Sequence, residues 1–219
     1  MAIAPATETI LALRNPPSDG ETLTLFTPAD DEAAAVEAHL ASHPTVVALR
    51  ADTSLRESRP HLKLPAAQRA HNLTGGLLQG PGRLTVPPLA FADAAGTTYA
   101  QVVHVGADLC GHPGIVHGGL LATLLDEALA RCCFAALPHG VGVTANLNIN
   151  YRAPLRAGSY VVIRATTTRA EGRKAWVEGR IETLADESRG EKPLVIVEGD
   201  ALFVSPRAAA SGLGGIMPV

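Results

Sequence analysis

The chain lacks several features that mark common classes of protein. It has few aromatic residues and only three cysteines. Cys132 and Cys133 are adjacent, so on a helix their side chains would point in different directions, and we expect no disulfide framework and a reducing compartment. The spacing of Cys and His resembles no structural zinc site, and neither common type of Gly-rich phosphate loop occurs. We therefore expect neither a structural zinc site nor a nucleotide bound through a Gly-rich loop.

Charge and hydropathy argue against two further classes. The formal net charge is −3 and there is no basic block, so nucleic acid is a poor candidate partner. The longest apolar run, residues 120–137, carries Asp126, Glu127 and Arg131, which argues against a membrane span. Residues 1–40 lack a basic start and a long apolar core, so we expect no signal peptide. The expected location is cytoplasmic, with a mitochondrial location as the alternative.

The apolar run predicts a long helix that is apolar on nearly every side and therefore belongs inside the protein. Burying an ionised Asp126 there costs several kcal/mol unless partners or water compensate it, so the residue calls for a reason. His117-Gly118-Gly119 precedes the run. Glycines at a helix start let a ligand approach free backbone N–H groups at the positive end of the helix dipole. The pattern predicts a site that binds an oxyanion.

The spacing of these residues bears on assembly. If the helix begins near Gly118, Asp126 lies roughly 12 Å further along it, at about 1.5 Å rise per residue. A carboxylate at that distance cannot readily reach a carbonyl held at the N-terminus of its own helix. Either the two groups are unrelated, or Asp126 serves a helix from another subunit. Two antiparallel copies related by a two-fold axis would give two equivalent sites in a dimer.

The chain divides into three predicted regions. Residues 1–74 comprise an arm over residues 1–28 and short helices, of which residues 30–41 give the clearest pattern. Residues 75–206 form the main domain, and residues 207–219 a disordered tail. In the main domain, strand patterns occur at residues 99–106, 141–151, 160–168, 174–184 and 194–204. A long helix followed by an antiparallel meander gives an α+β fold whose sheet wraps around its helix, with Thr144 on the polar face of its strand.

Three separated motifs resemble those of the hotdog-fold acyl-CoA thioesterases. They are Gly114-Ile115-Val116-His117-Gly118-Gly119 with Asp126 nine residues after the histidine, Thr144-Ala145-Asn146-Leu147-Asn148-Ile149-Asn150-Tyr151, and Glu171-Gly172-Arg173-Lys174. The likeness covers roughly residues 75–206 and is greatest to the phenylacetate-pathway type and to the mammalian thioesterase superfamily member 4. Residues 59–63 and their surroundings are similar to uncharacterised fungal members and suggest no chemistry. The resemblance implies a hotdog fold, an antiparallel sheet around a long central helix, with an N-terminal helical extension.

The resemblance also implies an activity. We expect a hydrolase of lipid metabolism that converts a fatty or other acyl-CoA to a free acid and coenzyme A, working as a homodimer or a dimer of dimers. This reaction needs no metal and no bound cofactor. The alternatives are an acyl-carrier-protein thioesterase of a biosynthetic pathway and a non-catalytic acyl-CoA-binding or regulatory protein. The aromatic content of 4% weakly favours aliphatic acyl groups.

The resemblance assigns roles to individual residues. Asp126 is the expected general base or nucleophile, and the Gly118 N–H the expected oxyanion donor. His117 is either a general acid or base or a residue that fixes the loop, and Thr144 orients the attacking water. The residues expected to bind the substrate, with the cations at its phosphates, are Gly119, Asn150, Arg152, Arg173 and Lys174.

Gly111 and Glu127 lie outside these assignments. Many phenylacetate-type enzymes have an Asn six residues before the motif histidine, where this chain has Gly111. Either His112 or the backbone alone would then polarise the carbonyl. Glu127 is expected in a surface or interface salt bridge rather than in catalysis. A pair between Asp126 and Arg131 is the simplest structural alternative, but a separation of five residues fits a helix pair poorly.

Overall fold

The computed structural model describes residues 15–207, so the predicted tail lies almost wholly outside the described residues. The helices are α1 (Asp19–Thr24), α2 (Asp31–Ser42), α3 (Pro44–Ala51), α4 (Ala66–Arg69) and α5 (Gly118–Cys133). The strands are β1 (Leu55–Ser58), β2 (Leu89–Asp93), β3 (Thr98–Val105), β4 (Cys110–His112), β5 (Ile115–Val116), β6 (Val143–Tyr151), β7 (Ser159–Glu171), β8 (Lys174–Thr183) and β9 (Val195–Val204). No helix within residues 15–207 is long and apolar enough to cross a membrane.

Seven strands form one antiparallel sheet in the order β1-β2-β3-β7-β8-β9-β6, and α5 packs across one face of it. This is the expected α+β architecture of a sheet around a central helix, with helices in the N-terminal part. The expected meander holds for β7, β8 and β9 only. Strand β6 pairs with β9 at the edge of the sheet. Strand β6 does not precede β7 in the sheet, because α5 crosses the sheet and β6, which follows it in the chain, joins the far edge.

Helix α5 is buried on one side only, which differs from the expected burial on nearly every side. Its inner face contributes Leu124, Leu125 and Leu129 to the main core, all fully buried. The opposite face carries Thr123, Asp126 and other half-exposed residues. The last turn adds the buried thiols of Cys132 and Cys133, and all three cysteines of the chain are free. The one-sided burial leaves Asp126 at a boundary between core and surface.

The N-terminal part covers the other face of the sheet. Helices α2 and α3 supply Val36, Leu40 and Val46 to a second core, where they pack with side chains of β2 and β3 such as Phe91. The residues predicted as an arm contain α1, which begins with a reciprocal capping box between Ser18 and Glu21. Strand β1, which was not predicted, pairs with β2. The predicted boundary between residues 74 and 75 stays a prediction.

A bulge in β6 reverses the predicted orientation of Thr144. Thr144 pairs with Phe203 and Asn146 with Leu202, so Ala145 is an extra residue in the ladder. Phe203 belongs to the core beneath α5, and directly paired residues share a face of the sheet. Thr144 therefore faces α5, whereas the alternation predicted that it lies with the asparagines on the other face.

Two glycines let α5 approach the sheet closely. Gly179 of β8 pairs with Gly199 of β9. A Cβ at Gly179 would lie 2.9 Å from Leu129 Cδ2 and 2.5 Å from the Arg164 carbonyl oxygen. A Cβ at Gly199 would lie 3.2 Å from Leu125 Cδ2. The absence of side chains at this pair sets the distance between α5 and the sheet.

We expect Gly179→Ala to lower the free energy of unfolding by about 1–3 kcal/mol, the usual cost of overpacking a core. Urea denaturation would measure the change. Gly20→Ala is the matched control, because a Cβ at Gly20 in α1 meets no atom within 4 Å. An equal effect of both substitutions would contradict the packing argument.

Candidate active site

Asp126 lies half-buried on α5 and is held by the first strand that follows the helix. The Thr144 hydroxyl donates a hydrogen bond of 2.9 Å to Asp126 Oδ1. Burial raises the pKa of Asp126, the Thr144 hydrogen bond opposes the shift, and the neighbouring Glu127 charge adds to it. The net pKa is raised above the ordinary aspartate value. Within residues 15–207 no cationic side chain forms an ion pair with Asp126.

The adjacent carboxylate, Glu127, has the opposite environment. Its Oε1 accepts hydrogen bonds from Arg131 at 2.7 Å and lies 2.8 Å from His61 Nε2. Burial raises the pKa of Glu127, but the Arg131 charge and the His61 hydrogen bond outweigh it and hold the pKa well below the usual range. The expected salt bridge therefore exists within one chain, and its Arg131 and Glu127 side chains are 14% and 18% exposed. Two adjacent carboxylates with pKa values pushed apart are typical of acid–base sites.

The start of α5 is held in place by the residues on either side of it. His117 is the N-cap, and its Nδ1 accepts a hydrogen bond of 2.9 Å from the Gly119 N–H. The Tyr151 hydroxyl donates to the Gly118 carbonyl oxygen at 2.9 Å. Within residues 15–207 the Gly118 N–H has no hydrogen-bond acceptor. This geometry supports a loop-fixing role for His117 and leaves Gly118, rather than Gly119, as the available donor.

His117 limits the space beside Gly111. A Cβ there would lie 3.0 Å from His117 Cδ2 and 3.2 Å from His117 Cα. A side chain at this position would therefore require His117, the N-cap of α5, to shift by a few tenths of an ångström. The neighbouring His112 is exposed at the end of β4.

A cavity of about 470 Å³ opens beside Asp126. Its lining includes Thr123, Asp126 and Ala130 of α5, Phe134 directly after that helix, and Val143 and Thr144 of β6. Its other wall comes from the N-terminal part, through Pro60, Leu64, Asn72, Leu73 and Thr74. The sequence of this part indicates no chemistry. Its contact with the site, between His61 and Glu127, joins residues far apart in the chain and has no local sequence signal.

Two of the predicted substrate-binding cations lie at the Thr144 end of β6. Lys174 and Val143 both pair with Val204, so the hairpin between β7 and β8 adjoins this end of the strand. The Arg173 guanidinium donates a hydrogen bond of 2.8 Å to the Ser205 carbonyl oxygen. Lys174 is exposed.

The other two predicted residues, Asn150 and Arg152, are not brought to Asp126. Asn150 pairs with Glu198, on the face of the sheet turned away from α5. Arg152 Nε donates a hydrogen bond of 2.8 Å to Glu198 Oε1. The structure thus joins Asp126 with Thr144, and separately Gly118 with His117 and Tyr151. The two groups lie at opposite ends of β6, and eight helical residues, about 12 Å, separate Gly118 from Asp126.

Comparison with known proteins gives consistent findings. The thioesterase superfamily model matches residues 113–188. The UPF0644 protein PB2B4.06 of Schizosaccharomyces pombe is 36% identical over 180 residues, which cover 82% of this chain and 68% of that protein. An uncharacterized mitochondrial protein of Candida albicans is 33% identical over 71% of this chain and 70% of its own length. The acyl-coenzyme A thioesterase THEM4 of Mus musculus is 37% identical over 45% of this chain, a match that spans 39% of that protein.

We expect Thr144→Val to raise the pKa of the Asp126 carboxyl further, because the lost hydrogen bond favours the ionised form. A carboxyl ¹³C NMR titration, with the signal assigned through Asp126→Asn, would measure the pKa. Thr144→Ser keeps the hydroxyl and should stay near wild type. An unchanged or lowered pKa in Thr144→Val would contradict the role given to this bond.

Proposed function

The chain belongs to the thioesterase superfamily of thioester hydrolases, and from this premise we propose that it hydrolyses an acyl-CoA to a free acid and coenzyme A. The observation that carries the proposal is Asp126, a half-buried carboxylate without a cationic partner in the described residues, bonded to Thr144 and facing a cavity. The likeness to the acyl-coenzyme A thioesterase THEM4 supports coenzyme A as the carrier of the acyl group.

In the proposed reaction the thioester carbonyl oxygen accepts a hydrogen bond from the Gly118 N–H at the positive end of α5. Ionised Asp126 then either takes a proton from water, which adds to the carbonyl carbon, or attacks that carbon itself and forms an anhydride that water hydrolyses. The negative charge that develops on the oxygen is stabilised at Gly118. Collapse of the tetrahedral intermediate breaks the C–S bond, and the thiolate leaves as coenzyme A after protonation.

A complete site requires two copies of the chain in this proposal. Gly118 and Asp126 are about 12 Å apart along one helix, too far to act on one carbonyl group. Strand β6 is an edge strand without charged residues or proline, so nothing in its sequence opposes pairing with a second copy. Two antiparallel β6 strands related by a two-fold axis would bring the Tyr151 end of one beside the Thr144 end of the other. Such a pairing would produce a homodimer with two equivalent sites.

We further propose that Arg173 and Lys174 bind the nucleotide phosphates of the substrate. Both lie on the hairpin beside the Thr144 end of β6, and cations suit phosphate oxygens. Asn150 and Arg152 stay predicted substrate contacts from the resemblance alone.

A mitochondrial location is supported by the Candida albicans relative, which is named as a mitochondrial protein. Fractionation of cells that produce the chain would test it, and a purely cytosolic fraction would refute it. The expected cytoplasmic location stays a prediction.

We expect Asp126→Asn to lower turnover of acyl-CoA by about a hundredfold or more, because the chemical step loses its base or nucleophile. A reagent for free thiols would follow release of coenzyme A from an acyl-CoA panel. Urea denaturation would verify that the variant is folded. A folded variant with near wild-type turnover would remove Asp126 from the chemistry, and wild-type protein that binds acyl-CoA without releasing thiol would favour the non-catalytic alternative.

Shared sites predict complementation between two inactive variants. Gly118→Pro deletes the proposed oxyanion donor, and proline is tolerated here because Gly118 is the first helical residue and His117 has an extended ψ of 127°. Mixed with Asp126→Asn under subunit exchange, it should restore at most about half of the wild-type activity per heterodimer, since one of two sites is intact. Gly118→Ala, which keeps the N–H, is the matched control and should stay active. No recovery in proven heterodimers would mean that both groups act within one chain.

A further inference from the structure

We propose that residues 60–74, here named the N-terminal wall, form the surface on which the acyl group of the substrate lies and thereby select which acyl groups are hydrolysed. The inference rests on the proposed function, because it assigns the acyl end of the same site. It gives a role to the part of the chain in which the sequence indicated no chemistry.

The wall shares a cavity with the proposed chemistry. Pro60, Leu64 and Leu73 line the cavity that Asp126 and Thr144 also line. Its volume of about 470 Å³ lies in the range of about 300–1,000 Å³ typical of small-molecule sites. A thioester carbonyl near Asp126 would thus have a space for its acyl group directly beside it, closed on one side by the wall.

The lining of this space selects for an uncharged, apolar acyl group. Leu64 and Leu73 face a region that Ala130, Phe134 and Val143 also line. Arg131 reaches the same cavity, but its charge is paired with Glu127. An acyl group with a terminal carboxylate would lose its hydration there and would lie near Asp126. Desolvation and charge repulsion would both disfavour its binding. The substrate class is therefore acyl-CoA with a hydrocarbon acyl group.

Specific contacts hold the wall in place. The 2.8 Å contact of His61 Nε2 with Glu127 Oε1 ties it to α5 at the residue next to Asp126. Asn72 Oδ1 accepts a hydrogen bond of 2.7 Å from the Gly75 N–H within the turn. The turn also packs on the backbone, since a Cβ at Gly76 would lie 1.9 Å from the Arg69 carbonyl oxygen. A wall fixed in this way sets a definite limit to the acyl group.

Leu73 in the wall and Leu77 just beyond it provide a matched pair for a test. Leu73 and Leu77 are exposed to 51% and 57%, so a larger residue at either position can be accommodated without disturbing the core. Leu73 lines the cavity and Leu77 does not. A tryptophan at position 73 would occupy the acyl space, whereas one at position 77 would lie outside it.

The experiment measures kcat/KM of the full-length wild type, Leu73→Trp, Leu77→Trp and Leu73→Ala with straight-chain acyl-CoAs from acetyl to palmitoyl. For Leu73→Trp we expect a fall of about tenfold or more with the longest acyl groups that the wild type accepts, since each misplaced methylene in an apolar pocket costs about tenfold or more. Acetyl-CoA should change by less than about twofold, because it does not reach the wall. Leu77→Trp should retain the wild-type profile, and Leu73→Ala should shift preference towards longer groups.

A uniform fall across the series in Leu73→Trp, or the same shifted profile in Leu77→Trp, would overturn the inference while leaving acyl-CoA hydrolysis intact. Wild-type protein that releases no thiol from any member of the series would overturn the proposed function and the role of the wall with it. The two failures are therefore distinguishable in one data set.

Discussion

The buried ion pair between Glu127 and Arg131 is the interaction on which the candidate site depends. Arg131 is engaged by Glu127, and the pKa of Asp126 is raised by burial and by the Glu127 charge, against the opposing effect of the Thr144 hydrogen bond. The pair also holds His61 and therefore the N-terminal wall. Because removal of one partner from a buried pair leaves an uncompensated charge, the arrangement tolerates change at neither end. One local pairing thus couples the reactivity of the site to its shape.

A structural feature could be predicted where the sequence signal for it extends over only a few neighbouring residues. The helix start at Gly118 and five strands, β3 and β6 to β9, were predicted within a few residues, because glycine, capping and alternation act over short distances. The short strands β2, β4 and β5 of the main domain were not predicted. The capping box of Ser18 and Glu21 was readable in the sequence and was missed. The predicted orientation of Thr144 was wrong, because a β-bulge has no clear signature in the sequence. The contact of His61 with Glu127 was inaccessible, since no periodicity relates residues so far apart.

The division of the proposed site follows from the path of the chain. Helix α5 carries both the proposed oxyanion donor and the proposed catalytic carboxylate, but at positions two turns apart, and β6 carries their respective partners, Tyr151 and Thr144, at its two ends. Each half of the site is therefore stabilised within its own chain before any second copy binds. A second copy of the chain would bring Gly118 of one subunit beside Asp126 of the other, without movement of a flexible element in either subunit.

The two adjacent cysteines at the end of α5 have a consequence for the product of the proposed reaction. Burial raises the pKa of Cys132 to about 11 and that of Cys133 to about 12. Thiolates, rather than thiols, attack disulfides, so these side chains are almost inert at neutral pH. An enzyme that continually releases a free thiol encounters mixed disulfides of that thiol whenever its surroundings become oxidising. Helix α5 keeps both sulfur atoms out of that exchange, so its core packing would persist through such episodes.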